Sequence, residues 1–312
     1  MAISQYLKTF AGRPVARYEI SKRYSTLANK AWRVAAEYHY GELETPFIES
    51  LTPLIAAPKV SEVSTLVVGP WDGIVYDSAS SAETIELLVA AAPKLASVKA
   101  MFFGDIVYRD TEISWIQHRD ISPLLSAYQL EEFALRGVGG LQIGQLKLPH
   151  MKRLTFQAGG LPSEIIRQIV ACEMPNLESL DLWLGVEQYW GNATADDLAP
   201  ILDGCFPKVK RLALCNKEKL YELLPAILTA PILKKLQRLD LSMSTLIDEE
   251  AELLLSHAKP LKKLKELDLS QNFLSADMVE QLKNAGLPLI ANDQRQVEVY
   301  DDEVYRYAVT GE

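Results

Sequence analysis

The sequence predicts an α/β solenoid, a chain of strand–turn–helix coils that stack on one another. One apolar template recurs in phase along most of the chain, and helix-start signals fall between its copies. The composition agrees: 48% apolar and 23% charged residues among 312 suit an ordinary folded chain with a large core.

The clearest copy of the template is Leu261, Leu264, Leu267 and Leu269 followed by Asn272. Sliding it backward finds Leu233, Leu236, Leu239 and Leu241, then Phe206, Val209, Leu212 and Leu214. Further back lie Met174, Leu177, Leu180 and Leu182, and Leu148, Met151, Leu154 and Phe156. Weaker copies are Ala127, Leu130, Phe133 and Leu135, then Leu95, Val98, Met101 and Phe103, and first Val60, Val63, Leu66 and Val68. From Leu180 onward the spacings are 32, 27 and 28 residues. A fixed period of this size is the mark of a repeat architecture.

Each intervening helix carries its own start. Ser163-Glu164 opens Ile165, Ile166, Ile169 and Val170, and Thr194 to Asp197 precedes Leu198, Ile201 and Leu202. Asp248 to Glu250 precedes Leu253 to Leu255, and Ser275 to Asp277 precedes Met278, Val279 and Leu282. Hydroxyls and carboxylates there satisfy free backbone N–H groups and complement the helix dipole, so these acids are read as caps and not as catalysts.

Inward apolar residues of one coil find cover only against the next coil, so the coils stack. Helices are wider than the strand spacing of ~4.8 Å, which predicts a horseshoe arc with a parallel sheet on its concave face and helices outside. Residues 59–291 are expected to hold about eight repeats. Residues 1–58 lack the template and are expected to form an N-terminal cap in the same domain, with an edge strand near Trp32–Tyr40 and a short helix from Phe47 to Ala57. Residues 292–312 are expected to form a C-terminal cap, hairpin-like, or an ordered tail.

These features resemble ribonuclease-inhibitor-like leucine-rich repeats over about residues 60–290. The chain also resembles a small bacterial leucine-rich-repeat family of unestablished function. Phe10 to Val15, Glu112 to Gln117, Asp120 to Leu125 and Val304 to Tyr307 carry that second likeness. The resemblance implies the fold and a cytoplasmic setting, and it brings no ligand or catalytic residue with it.

The bulk numbers narrow the function. A net charge of −9 disfavours nucleic acid, whose binding is dominated by phosphate neutralisation. No apolar stretch predicts export or membrane spanning. Cys172, Cys205 and Cys215 form no metal-type pair and read as free thiols. The motifs of nucleotide, zinc and serine-hydrolase chemistry are absent. Gly139-Gly140 and Gly159-Gly160 read as turns, and His39, His118, His150 and His257 fall at unrelated places in the coil. No cofactor is expected.

The expected function is a non-catalytic scaffold that binds another protein. Strand side chains alternate, so the residue between the last two template leucines faces outward. That column reads Val67, Phe102, Ala134, Thr155, Asp181, Ala213, Asp240 and Asp268, and the next reads Gly69, Gly104, Arg136, Gln157, Trp183, Cys215, Ser242 and Ser270. Asp181, Trp183, Asp240, Asp268 and Arg136 are therefore candidate contacts, although Arg211 and Arg238 stand close enough to pair with the aspartates. Rim loops after the strands add Trp71, Tyr189 and Trp190, whereas Trp115 is expected to pin its own loop. Lysines at 152, 208, 210, 234, 235, 262, 263 and 265 line the opposite rim and read as a solvated edge. The competing expectation is an enzyme or enzyme subunit with a small-molecule pocket in the rim loops.

Overall fold

A computed structural model describes residues 3–75, 78–300 and 303–311. They form two compact units, one of residues 3–157 with 171–175, the other of residues 158–170 with 176–311. Each is a stack of leucine-rich-repeat coils with an in-register parallel ladder, an α/β solenoid.

In the N-terminal unit the ladder runs β1 (Thr9–Phe10), β2 (Arg13–Arg17), β3 (Ala31–Val34), β6 (Thr65–Val68), β7 (Ala100–Phe103), β8 (Glu132–Arg136) and β9 (Arg153–Gln157). A two-stranded ribbon, β4 (Glu37–His39) with β5 (Glu42–Thr45), and α1 (Phe47–Ile55) lie between β3 and β6. Helices α2 (Ala82–Ala91) and α3 (Ser122–Ala127) return the chain between later strands. Every neighbouring pair after β1 is parallel, and Leu66, Met101, Phe133 and Leu154 align across four strands. All four are buried, each worth roughly 1.5–3 kcal/mol of apolar transfer.

The N-terminal region differs from expectation in one respect. The segment from Trp32 does not form an edge strand, because β3 lies between β2 and β6. Trp32 aligns with Leu66 and Val34 with Val68, so Trp32 and Val34 fill the two inward positions of a coil without its leucines.

The C-terminal unit contains α4 (Ser163–Ala171), whose last residue is grouped with the other unit, and β10 (Ser179–Gly185), α5 (Ala195–Asp203), β11 (Arg211–Lys217), α6 (Leu224–Thr229) and β12 (Arg238–Asp240). It continues through α7 (Asp248–Ser256), α8 (Ala258–Leu261), β13 (Glu266–Asp268), α9 (Ala276–Asn284) and β14 (Leu289–Ile290). Of the four expected helix starts, Thr194 and Ser275 are N-caps, whereas Ser163 and Asp248 are the first helical residues of α4 and α7. Thr194 and Asp197 close a capping box on α5, and Ser275 Oγ accepts the Met278 N–H at 3.1 Å on α9.

Two buried asparagines tie coils together. Asn272 donates to the Leu241 and Leu269 carbonyls at 3.1 and 3.0 Å and accepts the Leu246 N–H at 3.0 Å. Asn216 donates to Thr310 O at 2.6 Å and accepts the Thr310 N–H at 2.8 Å. The tail after the antiparallel hairpin β15 (Glu298–Tyr300) and β16 (Glu303–Tyr305) is thereby fixed to the coil, with Ala308, Val309 and Thr310 buried. Among the described residues no helix is long and apolar enough to cross a membrane.

Candidate protein-binding face

In the C-terminal unit the register places Asp181, Ala213, Asp240 and Asp268 in one row across β10 to β13, with Trp183 beside Cys215 on the next. The flanking leucines point inward and are fully buried, so the row faces out. Ala213 adds no charge between Asp181 and Asp240. Burial raises the Asp181 carboxyl to about 6, and the charge of Asp240 adds to the rise, while Arg211, the Cys215 thiol and Trp183 oppose it. Asp240 is also raised, first by burial, with the Ser242 hydroxyl and N–H pulling it down and Asp268 pushing it up.

The neighbouring arginines neutralise this row only in part. Arg211 reaches Asp240 at 3.7 Å, whereas Arg238 pairs with Glu266 at 3.8 Å and not with an aspartate. Asp240 and Asp268 each accept the N–H of the serine two residues on, at 3.0 and 2.8 Å. Trp183 is half-buried on this face.

The loop leaving β10 brings up the aromatic rim. Trp190 is 76% exposed and sits in the left-handed region at φ 71°, while Tyr189 is half-buried. Gly159-Gly160 lets this loop close: a Cβ on Gly160 would stand 2.0 Å from the Tyr189 carbonyl oxygen. The pair is a close backbone approach as well as a turn. Behind the loop, Lys217 is buried and donates to Gly191 O at 3.0 Å.

Two expected contact residues are overturned in the N-terminal unit. Trp71 is 1% exposed: its indole donates to Ala79 O at 2.7 Å and stacks on Phe103 with ring centroids 5.8 Å apart. Arg136 is 3% exposed, donates to Ile106 O at 2.7 Å and lies 3.5 Å from Asp105. Asp105 also takes the Arg33 guanidinium and the Leu7 N–H, so two buried cations share one buried carboxylate. Burial lowers Arg136 to about 10, against the raising effect of Asp105. Trp115 differs the other way. It is 57% exposed, and Ile113 and Ile116 pin the loop instead.

The outward apolar column of this unit is covered by the chain's own start. Leu7, Phe10 and Val15 pack on Ala31, Val67, Phe102 and Ala134, with Phe10 edge-on to Phe102 at 5.6 Å. Tyr6 donates to Asp110 at 2.9 Å, and Ile3 O accepts the Tyr108 N–H at 2.8 Å. Outward Val67 and Phe102 were the sequence signal for such a cover, since a wet sheet face has no use for them.

Little here is arranged for catalysis. Ser81 Oγ lies 3.1 Å from His118 Nδ1, but both residues are buried and His118 Nε2 is 3.0 Å from the Arg136 carbonyl. Burial lowers His118 to about 4, which keeps it neutral. A rim cavity of about 380 Å³ beside Trp71 holds Asp72 and Glu83, and Asp72 already accepts the Phe47 N–H at 2.8 Å. Burial pushes the Cys215 thiol well up, so it is a protonated donor and not a nucleophile. Among the described residues no three His, Cys, Asp or Glu side chains are grouped to hold a metal.

No protein-family model matches the sequence, and no curated protein matches it. Among solved structures the chain is similar to a protein from Bacteroides fragilis at 29% identity and a TM-score of 0.76, over 84% of this chain and 74% of that one. It also aligns with an internalin from Listeria monocytogenes at 14% identity and a TM-score of 0.33, over 79% of this chain and 57% of that one, a distant likeness. The chain thus shares its fold with a bacterial protein over most of its length.

Proposed function

We propose that this protein is a non-catalytic scaffold of the ribonuclease-inhibitor-like kind, working in the cytoplasm. It binds a basic protein surface through the outward face of its C-terminal unit. One observation carries the reading: Asp181, Asp240 and Asp268 stand in register beside half-buried Trp183, and among the described residues only Arg211 forms an ion pair with the row. Trp183, with Tyr189 and Trp190 on the rim, supplies the apolar anchors such interfaces use. A cationic side chain from a partner restores the ionised form that burial disfavours, so binding and charge support each other. Residues 1–58, with the coil of β3 among them, and residues 292–312 serve as caps, which leaves the basic protein partner to the later coils. Affinity capture from native extract, comparing wild type with D181N/D240N/D268N, tests this reading. Loss of the retained basic proteins in the triple variant supports it, and an unchanged set contradicts it.

A further inference from the structure

At the outer end of the N-terminal unit, an apolar cavity of about 550 Å³ opens between the segment after β2 and the C-terminal end of α1. Its floor is aromatic. Tyr18 and Tyr24 stack at 5.2 Å, and both rest edge-on against Trp32, at 5.8 and 5.1 Å. Trp32 is fixed from below by its N–H to Leu27 O at 2.8 Å, and the Tyr24 hydroxyl accepts the Glu19 N–H at 3.1 Å. Pro53, Ala56, Ala57 and Pro58 make the facing wall. Ile20 stands at the mouth, 77% exposed.

The mouth is cationic although the chain as a whole is acidic. Lys22, Arg23 and Lys59 line it. Lys22 is held by Glu19 at 2.6 Å, and Lys59 donates to Ser25 O, beyond the end of α1. Glu62 is engaged with Thr26 Oγ1 at 2.6 Å and the Leu27 N–H at 2.9 Å. Arg23 has no ion pair among the described residues. Lys59 is likewise in no ion pair among the described residues, and a concave, mostly apolar site of this size with cations at its mouth matches the anatomy of small-ligand pockets.

We infer that this cavity binds an amphipathic monocarboxylate, an acyl or aryl group whose tail lies on the Tyr18–Tyr24 stack and whose carboxylate meets Arg23. The guanidinium offers a planar fork that matches a carboxylate and is less strongly hydrated than an ammonium. The aromatic floor and proline wall accept a chain or ring without demanding a hydrogen bond.

Isothermal titration of the full chain with dodecanoate below its micellar concentration tests the inference, with dodecylammonium as the charge-reversed probe. Dodecanoate is expected to bind at one site at least tenfold more tightly than dodecylammonium. R23E, an exposed change that leaves the fold alone, should weaken dodecanoate at least tenfold, and I20S, which removes apolar contact without adding charge, should weaken both probes. Equal binding of the two probes, no dodecanoate binding, or an R23E affinity equal to wild type overturns the proposal. So does a wild-type dimer by light scattering that I20S converts to monomer, which makes the cavity an interface between copies. The site lies in the N-terminal unit, so its failure leaves the C-terminal face untouched, and the reverse holds as well.

Discussion

Asp181 and Asp240 stand on one outward row of the C-terminal ladder with only Ala213 between them, and the charge of Asp240 adds to the cost of ionising Asp181. Asp181 is lifted from 3.8 to about 6. An acid whose folded pKa exceeds its unfolded value takes up a proton on folding. Its contribution therefore favours folding fully below about pH 4 and is lost as pH rises through about 6. D181N should remove that dependence and stabilise the protein by roughly 1–3 kcal/mol at pH 7.5, with no gain at pH 4. Calorimetric Tm values at the two pH values check it, and an equal shift at both contradicts it.

The same titration should govern recognition. A basic partner needs the ionised row, so its affinity should strengthen by about tenfold between pH 5 and pH 7 in wild type and by less in D181N. Surface plasmon resonance across that range reads the difference.

Asn216 is a structural asparagine with two separate demands on it. It holds Thr310 by both polar atoms and adopts φ 56°, where a β-carbon is strained. N216A should cost about 2–4 kcal/mol by leaving buried backbone groups unsatisfied. It should also speed cleavage after Arg306 by trypsin, which urea melts and timed proteolysis will show.

Asp105 is shared by Arg33 and Arg136, which pair with no other carboxylate among the described residues. D105A leaves two buried guanidiniums uncompensated, and the expected loss is about 3–5 kcal/mol by urea denaturation. A loss below about 1 kcal/mol would mean that the pair is not held as described.

Leu7 and Phe10 cover the apolar outward column of the N-terminal unit. The double change L7A/F10A should lower stability by roughly 2–4 kcal/mol and raise binding of a hydrophobic dye as Val67 and Phe102 are uncovered.

The repeat was legible because a solenoid coil writes its core into the sequence at short range. Leu180, Leu212, Leu239 and Leu267 align as their spacing implied. Local chemistry likewise marked Thr194 and Ser275 as caps. What stayed hidden depends on contacts between residues far apart in the chain. Arg136 reads as an exposed cation until Asp105, Arg33 and the N-terminal segment are placed around it. Trp71 reads as a rim aromatic until its loop folds onto Phe103 and His118. Trp32 and Val34 were illegible as a coil because the two earlier template positions hold polar Thr26 and Asn29.

Affinity capture with W183A/W190A, beside wild type and a W115A control, asks whether the aromatic side chains of the C-terminal face hold the partner. All three proteins should show the same far-ultraviolet circular dichroism. Wild type and W115A are expected to retain the same basic partner, and W183A/W190A to lose it. Retention of that partner by the double variant at wild-type level would contradict the assignment of the C-terminal face.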